Sequence, residues 1–270
     1  MTPSPSLRKS GSPADSGPAV LCFPHAGGGA SSFRSWQPLL SPARVHAVQY
    51  PGREDRIGDP PAAGLARLAD TVADEILAGS ERYAVLFGHS MGAYVAFEVA
   101  HRLQQAGAPV PTLVVSSAAA PGQRPPVPYE STAEVLAYLE SYGPVGDEIR
   151  EDEELFELIL GYIKDDLRMV AAYREHAGKR IAARLVAVAG QDDIPGIRSG
   201  HTGWRDHTDG DFVPVVTPGG HFYLRTAPPV ALLRTELARG RTAGPTIVPV
   251  PVPGPVAGTV PEPVPAGRDF

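Results

Sequence analysis

The most informative segment of this chain is Ala84-Val85-Leu86-Phe87-Gly88-His89-Ser90-Met91-Gly92-Ala93-Tyr94-Val95-Ala96-Phe97. It runs from a short apolar strand, through the pattern Gly-x-Ser-x-Gly, into a segment whose apolar residues recur with a helical period. This order predicts a nucleophile elbow, a sharp strand-to-helix turn that presents the hydroxyl of Ser90 at the start of a helix. Gly88 and Gly92 flank the serine because side chains at these positions would collide across the turn. Without partner residues, the same pattern could also be a glycine-rich turn that carries no chemistry.

The composition suits one α/β domain with flexible ends. Of the 270 residues, 43% are hydrophobic, which is enough for a sizeable core, and the formal net charge is −6. Such a charge argues against a nucleic-acid-binding protein, because those proteins present basic surfaces. No apolar run approaches the ~20 residues of a membrane-spanning helix, and the first residues lack the apolar core of a secretion signal. We therefore predict a cytoplasmic protein that binds neither nucleic acid nor membranes.

The single cysteine, Cys22, lies within an apolar run. It excludes an internal disulfide bond and fits a reducing compartment. A thiol nucleophile is one interpretation, but a buried structural cysteine is far more common in such a setting. No cluster of His, Cys and carboxylate residues has the spacing of a metal site, so we predict neither a metal nor a cofactor.

Shifts in composition divide the chain into three parts. Residues 1–18 are rich in Ser, Pro and Gly, and we predict a disordered leader there. Residues 19–240 carry alternating strand and helix patterns and form the predicted domain. Residues 241–270 are dominated by Val, Pro and Gly, which predicts an extended, disordered tail.

Short apolar runs alternate with helical patterns along the predicted domain. The predicted strands are 19–23, 45–50, 83–87, 112–117, 184–189 and 212–216. Short links in this βαβ pattern predict a mostly parallel central sheet with helices on both faces. The first helix is expected to be capped by Ser31 or Ser32 and to run through Leu40.

The alternation breaks at residues 122–180, where amphipathic helical patterns follow a proline-rich segment. Because this segment lies between two predicted sheet strands, we predict an inserted helical lid. Its apolar faces could line an acyl pocket, or they could simply pack on the sheet. The candidates for the pocket lining are Phe156, Tyr162 and Met169.

A glycine-rich loop, Pro24-His25-Ala26-Gly27-Gly28-Gly29-Ala30, follows the first predicted strand. It lacks the Lys-Ser/Thr pair of a phosphate-binding P-loop. An acyl-transfer serine needs a second backbone amide opposite the amide that follows the nucleophile, and small residues let the backbone come close. We therefore assign the oxyanion hole to the amides of Ala26 and Met91, although an ordinary turn remains an alternative for the loop alone.

Two further residues would complete the chemistry of an activated serine, since a hydroxyl is a weak nucleophile until an oriented base takes its proton. In this topology the partners follow in the order Ser, Asp, His, each just after a strand. Of the eight histidines, only His221 lies in a loop after a late strand, so we predict that His221 is the base. Asp192 and Asp193 both follow the preceding strand, and we favour Asp193 as the carboxylate that orients the base.

Several motifs along residues 19–239 resemble those of one family. They are Phe23-Pro24-His25-Ala26-Gly27-Gly28, Gln49-Tyr50-Pro51-Gly52-Arg53, Gly88-His89-Ser90-Met91-Gly92, Gly190-x-x-Asp193, Trp204-Arg205-x-His207-Thr208 and Gly219-Gly220-His221-Phe222. Together they resemble the type II thioesterases, the stand-alone α/β-hydrolase editing enzymes of polyketide synthase and nonribosomal peptide synthetase pathways. The resemblance implies that Asp193, the fourth residue of Gly-x-x-Asp, is the carboxylate. One departure is Ile194, where the family commonly has proline.

The resemblance implies a fold, a substrate and a partner. The fold would be that of an α/β-hydrolase, and the substrate an acyl group on the phosphopantetheine arm of an acyl or peptidyl carrier protein. The enzyme would act as a monomer and remove stalled or misprimed acyl units through Ser90, His221 and Asp193. Because carrier proteins are acidic, Arg53 or Arg56 could help them to dock.

Other functions stay open at this point. A chain-releasing thioesterase or a small-ester esterase would use the same residues on the same fold. A non-enzymatic hydrolase-fold protein would have to lack a member of the triad, and all three residue types are present.

Overall fold

The computed structural model describes residues 5–10, 16–142, 153–174 and 177–242. The strands are β1 (Leu7–Lys9), β2 (Ala19–Phe23), β3 (Arg44–Val48), β4 (Tyr83–His89), β5 (Thr112–Ser116), β6 (Leu185–Gly190) and β7 (Phe212–Thr217). They form one seven-stranded sheet in the order β1-β3-β2-β4-β5-β6-β7. β1 pairs with β3 in antiparallel orientation, and every other neighbouring pair is parallel. The predicted mostly parallel sheet is confirmed.

The α-helices of the described residues lie between the strands and after the last one. They are α1 (Trp36–Leu40), α2 (Leu65–Ala78), α3 (Met91–Gln105), α4 (Thr132–Glu140), α5 (Glu153–Ala172), α6 (Pro195–Gly200) and α7 (Val230–Thr242). No helix within the described ranges is long and apolar enough to cross a membrane.

Alternate residues of each strand point to opposite faces of the sheet, and both faces are buried along strands such as β2 and β6. On β2, for example, Leu21 joins the core that includes α2 and α3. Its neighbours Val20 and Cys22 join the core that includes α1 and α7. The central strands β2, β4, β5 and β6 are largely apolar because helices cover them on both sides. Burial raises the pKa of the Cys22 thiol, so this residue is the buried structural cysteine that the sequence predicts.

The prediction of a disordered leader is wrong for residues 5–10. This segment contains β1, which pairs with β3 from Leu7 opposite Val48 to Lys9 opposite His46. The amide of Ser6 donates hydrogen bonds of 2.6 and 2.9 Å to the two carboxylate oxygens of Glu75. An edge strand of this kind depends on its partner strand and has no apolar pattern of its own. Residues 1–4, 11–15 and the predicted tail beyond residue 242 lie outside the described residues.

The predicted cap of the first helix is also wrong. A short 3-10 helix covers Ala30–Phe33, and α1 begins only at Trp36, after a residue that makes no side-chain cap. The hydroxyl of Ser31 instead donates a 2.6 Å hydrogen bond to Glu54. The serine therefore joins two loops rather than starting a helix.

Among the described residues, α4 and α5 lie between β5 and β6, where the sequence predicts the helical insertion. Val135 of α4 packs against Leu160 and Leu167 of α5 in a small cluster of their own. Val170, at the end of α5, joins the main core beside the sheet. Part of the predicted lid, residues 143–152, lies outside the described ranges.

Candidate active site

Ser90 sits at the turn between β4 and α3 in a backbone conformation that residues other than glycine rarely adopt, with φ 54° and ψ −118°. Its amide donates a 2.8 Å hydrogen bond to the carbonyl of Ser116 on the neighbouring strand. A Cβ atom at Gly88 would lie 2.3 Å from the carbonyl oxygen of Gly92, and one at Gly92 would lie 2.1 Å from the carbonyl oxygen of Phe23. Only glycine fits at both positions, so the stretch forms the predicted elbow.

The elbow lies where the strand order reverses. The chain crosses from β2 to β3 on one side and then to β4 on the other side of β2. In parallel sheets, the crevice outside the carboxyl ends of such strands is where ligands bind. The loop of residues 24–30 after β2 faces the elbow after β4, and Ala26, Ser90 and Met91 line one cavity.

The amides of Ala26 and Met91 are available at this cavity. Within the described residues, neither N–H donates a hydrogen bond. Met91 is the first residue of α3, where free amides and the helix dipole favour negative charge. Two such amides can together hold the oxygen of a tetrahedral intermediate.

Asp193 and His221 face each other at the ends of β6 and β7. Nδ1 of His221 lies 3.0 Å from Oδ1 and 3.2 Å from Oδ2 of Asp193. Both residues are buried, whereas Asp192 is exposed. A carboxylate at Nδ1 leaves Nε2 of the imidazole free to accept a proton. The geometry brings together the pair that the sequence analysis favours.

Gly190 lets the two loops approach closely. A Cβ atom there would lie 2.5 Å from the carbonyl oxygens of both Gly219 and Gly220. The amide of Asp192 donates a 2.9 Å hydrogen bond to the carbonyl of Gly219 across the same gap. The loop after β6 thereby holds the loop that carries His221.

No hydrogen bond joins Ser90 to His221 among the described residues. Such bonds often tighten only when substrate binds. The backbone of His221 is held by Ser117, whose hydroxyl donates a 3.1 Å hydrogen bond to its carbonyl.

Two more histidines, His25 and His89, lie beneath this site. Burial, reinforced by neighbouring cationic groups, lowers the pKa of His25 to about 3 and that of His89 well below its usual value. Nδ1 of His89 lies 3.0 Å from the hydroxyl of Ser116. Both rings are neutral near pH 7. His89 is fully buried, with its ring centroid 5.2 Å from that of His221, and the half-buried His25 ring packs edge-on against His89.

The cavity at Ser90 is small, about 40 Å³. Apart from the elbow and the loop after β2, it is lined mainly by the insertion, including Arg124, Tyr138, Tyr142 and Leu167. A larger groove of about 800 Å³ lies at the opposite end of the strands. We assign no chemistry to that groove because its described lining contains none of the site residues.

The structure does not bring the three predicted lining residues to the described lining of this cavity. Phe156 packs within the small cluster between α4 and α5. The Tyr162 ring lies 5.0 Å from the Arg53 guanidinium carbon, and Met169 packs against the main core. Helical periodicity identifies the apolar faces of the insertion but not which face meets the serine.

The suggested docking role of Arg53 and Arg56 is wrong, because both side chains are buried. Arg56 donates a 2.7 Å hydrogen bond to Asp59. Arg53 forms two hydrogen bonds of 2.5 and 2.8 Å with Asp166 of α5. Buried and paired guanidinium groups offer nothing to a docking protein.

Asp166 itself is absent from the residues that the sequence analysis singles out. A signal exists, because Asp166 falls on the apolar stripe of α5 between Ile163 and Val170. An acidic residue at a buried helical position needs a partner.

The Thioesterase domain family model matches residues 18–238. A probable cadicidin biosynthesis thioesterase from Streptomyces griseus is 36% identical over 208 residues, which cover 76% of this chain and 58% of that protein. The chain thus spans little more than half the length of this curated relative.

Two solved structures are similar over most of the chain. The type II thioesterase BorB from the borrelidin biosynthetic cluster has a TM-score of 0.75 and 32% identity, covering 86% of this chain and 97% of that chain. The RedJ thioesterase from the prodiginine biosynthetic pathway in Streptomyces coelicolor has a TM-score of 0.74 and 33% identity. The match covers 85% of this chain and 91% of that chain. These similarities confirm the predicted α/β-hydrolase fold.

Proposed function

The chain belongs to the thioesterase domain family, and on that premise we propose that it is a type II, editing thioesterase. It hydrolyses aberrant or stalled acyl thioesters from the phosphopantetheine arm of carrier proteins in polyketide or nonribosomal peptide synthesis. The similarity to a type II thioesterase of a biosynthetic cluster over nearly that whole chain supports this role. The partner is an acyl or peptidyl carrier protein. We further propose that the enzyme works as a monomer in the cytoplasm.

One observation carries the chemistry. The buried Asp193–His221 pair lies at the same edge of the sheet as Ser90, whose positive φ presents its hydroxyl above the strands. A serine in a strained backbone conformation, at a cavity that Ala26 and Met91 also line, is suited to nucleophilic attack on an acyl group.

The mechanism begins with formation of an acyl-enzyme. Nε2 of His221 takes the proton of Ser90 while the serine oxygen bonds to the thioester carbonyl carbon. The amides of Ala26 and Met91 hold the oxygen that becomes negative. When the carbon–sulfur bond breaks, the pantetheine sulfur leaves and takes the proton from His221. A thiol is a good leaving group, so this step needs little help.

Hydrolysis then restores the enzyme. His221 takes a proton from water, whose oxygen attacks the acyl carbonyl, and the proton passes to the oxygen of Ser90 as the ester bond breaks. Asp193 holds Nδ1–H of the imidazole throughout and stabilises its charged form. The products are the free acid and a carrier protein with a free thiol.

Substrate comparison tests this proposal. We expect purified enzyme to hydrolyse acetyl- and propionyl-carrier proteins with higher kcat/KM than simple esters of the same acids. Preferred turnover of the esters would instead indicate an esterase. Preferred turnover of a full-length product thioester over short acyl units would indicate a chain-releasing enzyme.

A further inference from the structure

The carboxylate of Asp166 connects α5 to the glycine-rich loop that carries Ala26. Its Oδ2 accepts a 2.8 Å hydrogen bond from the amide of Gly27, the residue directly after Ala26. Asp166 is fully buried, and it belongs to the insertion rather than to the sheet. A side chain 139 positions further along the chain therefore fixes the backbone beside one of the two proposed oxyanion amides.

Close packing reinforces this contact. Gly27 has a φ of +79°, and a Cβ atom there would lie 2.5 Å from Cγ1 of Ile163. Ile163 precedes Asp166 by three positions, so both side chains lie on one face of α5. Ala26 is partly buried and packs against the cluster between α4 and α5. The loop after β2 thus rests directly on α5.

Such a loop needs an external constraint. Gly27, Gly28 and Gly29 follow each other, and glycine has more backbone freedom than any other residue. An oxyanion donor must hold its direction before the reaction begins, since reorientation during the reaction costs much of its effect. The hydrogen bond from Gly27 to Asp166 supplies the constraint.

Arg53 neutralises the charge of Asp166. An unpaired buried carboxylate is strongly unfavourable, and a negative charge near an oxyanion would oppose catalysis. Nη1 and Nη2 of Arg53 donate hydrogen bonds of 2.5 and 2.8 Å to the two carboxylate oxygens. Although burial opposes a charged guanidinium, the hydrogen bond and charge of Asp166 raise the pKa of Arg53.

We propose that Asp166 is a positioning residue, which, paired with Arg53, couples the seating of α5 to the geometry of the oxyanion hole. This inference rests on the proposed function. In this arrangement the insertion does more than cover the site. When α5 is packed against the loop after β2, it fixes the direction of the Ala26 amide. When α5 moves away, the amide is no longer held.

The test compares a ligand that creates an oxyanion with one that does not. A short-chain trifluoromethyl ketone adds the oxygen of Ser90 and places a negative oxygen in the hole, whereas the matching thioether analogue binds without reaction. For Asp166→Asn we expect the Ki of the ketone to rise, and kcat for an acetyl thioester to fall, by about ten-fold or more. The Kd of the thioether should stay within about two-fold of wild type. Asp165→Asn is the matched control, because Asp165 is a half-buried carboxylate on the same helix that pairs with Arg168 at 2.7 Å.

An unchanged ratio of ketone to thioether affinity in folded Asp166→Asn would overturn the proposal and leave Asp166 a structural role. If Asp166→Asn does not fold, as judged by circular dichroism and urea unfolding, Arg53→Lys decides. Lysine keeps the positive charge but cannot make both hydrogen bonds to Asp166. We therefore expect ketone affinity to fall relative to thioether affinity, as in Asp166→Asn, but by a smaller factor. An unchanged ratio in Arg53→Lys would also overturn the proposal. If wild type fails to hydrolyse thioesters at all, the proposed function itself is at fault.

Discussion

The ring of Tyr142 lies over the ring of His221, with 4.1 Å between the ring centroids and 36° between the ring planes. The hydroxyl of Tyr142 donates a 2.7 Å hydrogen bond to the hydroxyl of Tyr138 on α4. The cavity at Ser90 that both tyrosines line measures about 40 Å³, whereas sites for small molecules usually measure about 300–1,000 Å³. We therefore expect the aromatic pair to move when the proposed acyl-pantetheine substrate binds.

We predict that Tyr142→Ala shifts the enzyme toward longer acyl chains. The ratio of kcat/KM for hexanoyl over acetyl thioesters should rise by roughly ten-fold, because the ring no longer fills the space above His221. Steady-state kinetics with both thioesters measures the ratio. Tyr142→Phe is the control, since it keeps the ring and loses only the hydrogen bond to Tyr138. Equal ratios in all three proteins would show that Tyr142 does not limit the length of the acyl chain that the enzyme accepts.

Asp193 and Asp192 provide a second, matched comparison. Asp193→Asn should reduce kcat by about 10⁴-fold, because an amide at Nδ1 favours the wrong tautomer of His221. Asp192 is exposed, so Asp192→Asn should stay within about two-fold of wild type. Both variants should unfold close to the wild-type urea midpoint. A larger loss from Asp192→Asn would place the orienting carboxylate at the other residue.

Gly190 and Gly161 test the close approach of the two catalytic loops. Gly190→Ala should lower both activity and stability, because its Cβ would lie 2.5 Å from two carbonyl oxygens of the loop that carries His221. Gly161 lies in α5, and a Cβ atom there would meet no described atom beyond its own helical backbone within 4 Å. Gly161→Ala should therefore stabilise the protein by about 1 kcal/mol. Urea unfolding and kcat measure both effects. Wild-type behaviour of Gly190→Ala would contradict the described loop contact.

Acid should destabilise the protein through His25 and His89. Burial lowers the pKa of both below the usual 6.5 of histidine, to about 3 for His25. Below about pH 6.5 the unfolded chain therefore binds more protons than the folded chain, and stability falls as pH falls. Each histidine contributes a slope of up to about 1.4 kcal/mol per pH unit. The free energy of unfolding, measured with urea between pH 7 and pH 5, should fall less steeply with falling pH for His89→Asn than for wild type. Identical slopes would show that His89 does not cause the loss of stability in acid.

The sequence predicts the parts of the fold that depend on local patterns. The strand runs, the elbow and the helical character of the insertion all follow from apolar periodicity and glycine spacing. The order of the predicted strands places Asp192, Asp193 and His221 after two late strands, and the structure brings Asp193 into contact with His221.

Features that depend on distant partners escape prediction. β1 forms because β3 offers a free edge, not because residues 7–9 have a strand pattern. Arg53 lies in a charged segment that resembles a solvated loop, yet its partner Asp166 comes 113 positions later. Which face of the insertion meets Ser90 depends likewise on how α4 and α5 pack. The described cavity lining includes Tyr138 and Tyr142 but none of the candidates Phe156, Tyr162 and Met169.

The proposed site is tested most directly by mass spectrometry of a propionyl-carrier protein incubated with the enzyme. Wild type should convert the propionyl-carrier to the free-thiol carrier, with a transient propionyl adduct on the peptide that contains Ser90. Ser90→Ala should show no adduct and lower the conversion rate by at least about 10³-fold, while circular dichroism and urea unfolding stay unchanged. Conversion at the wild-type rate by folded Ser90→Ala would contradict the proposed site.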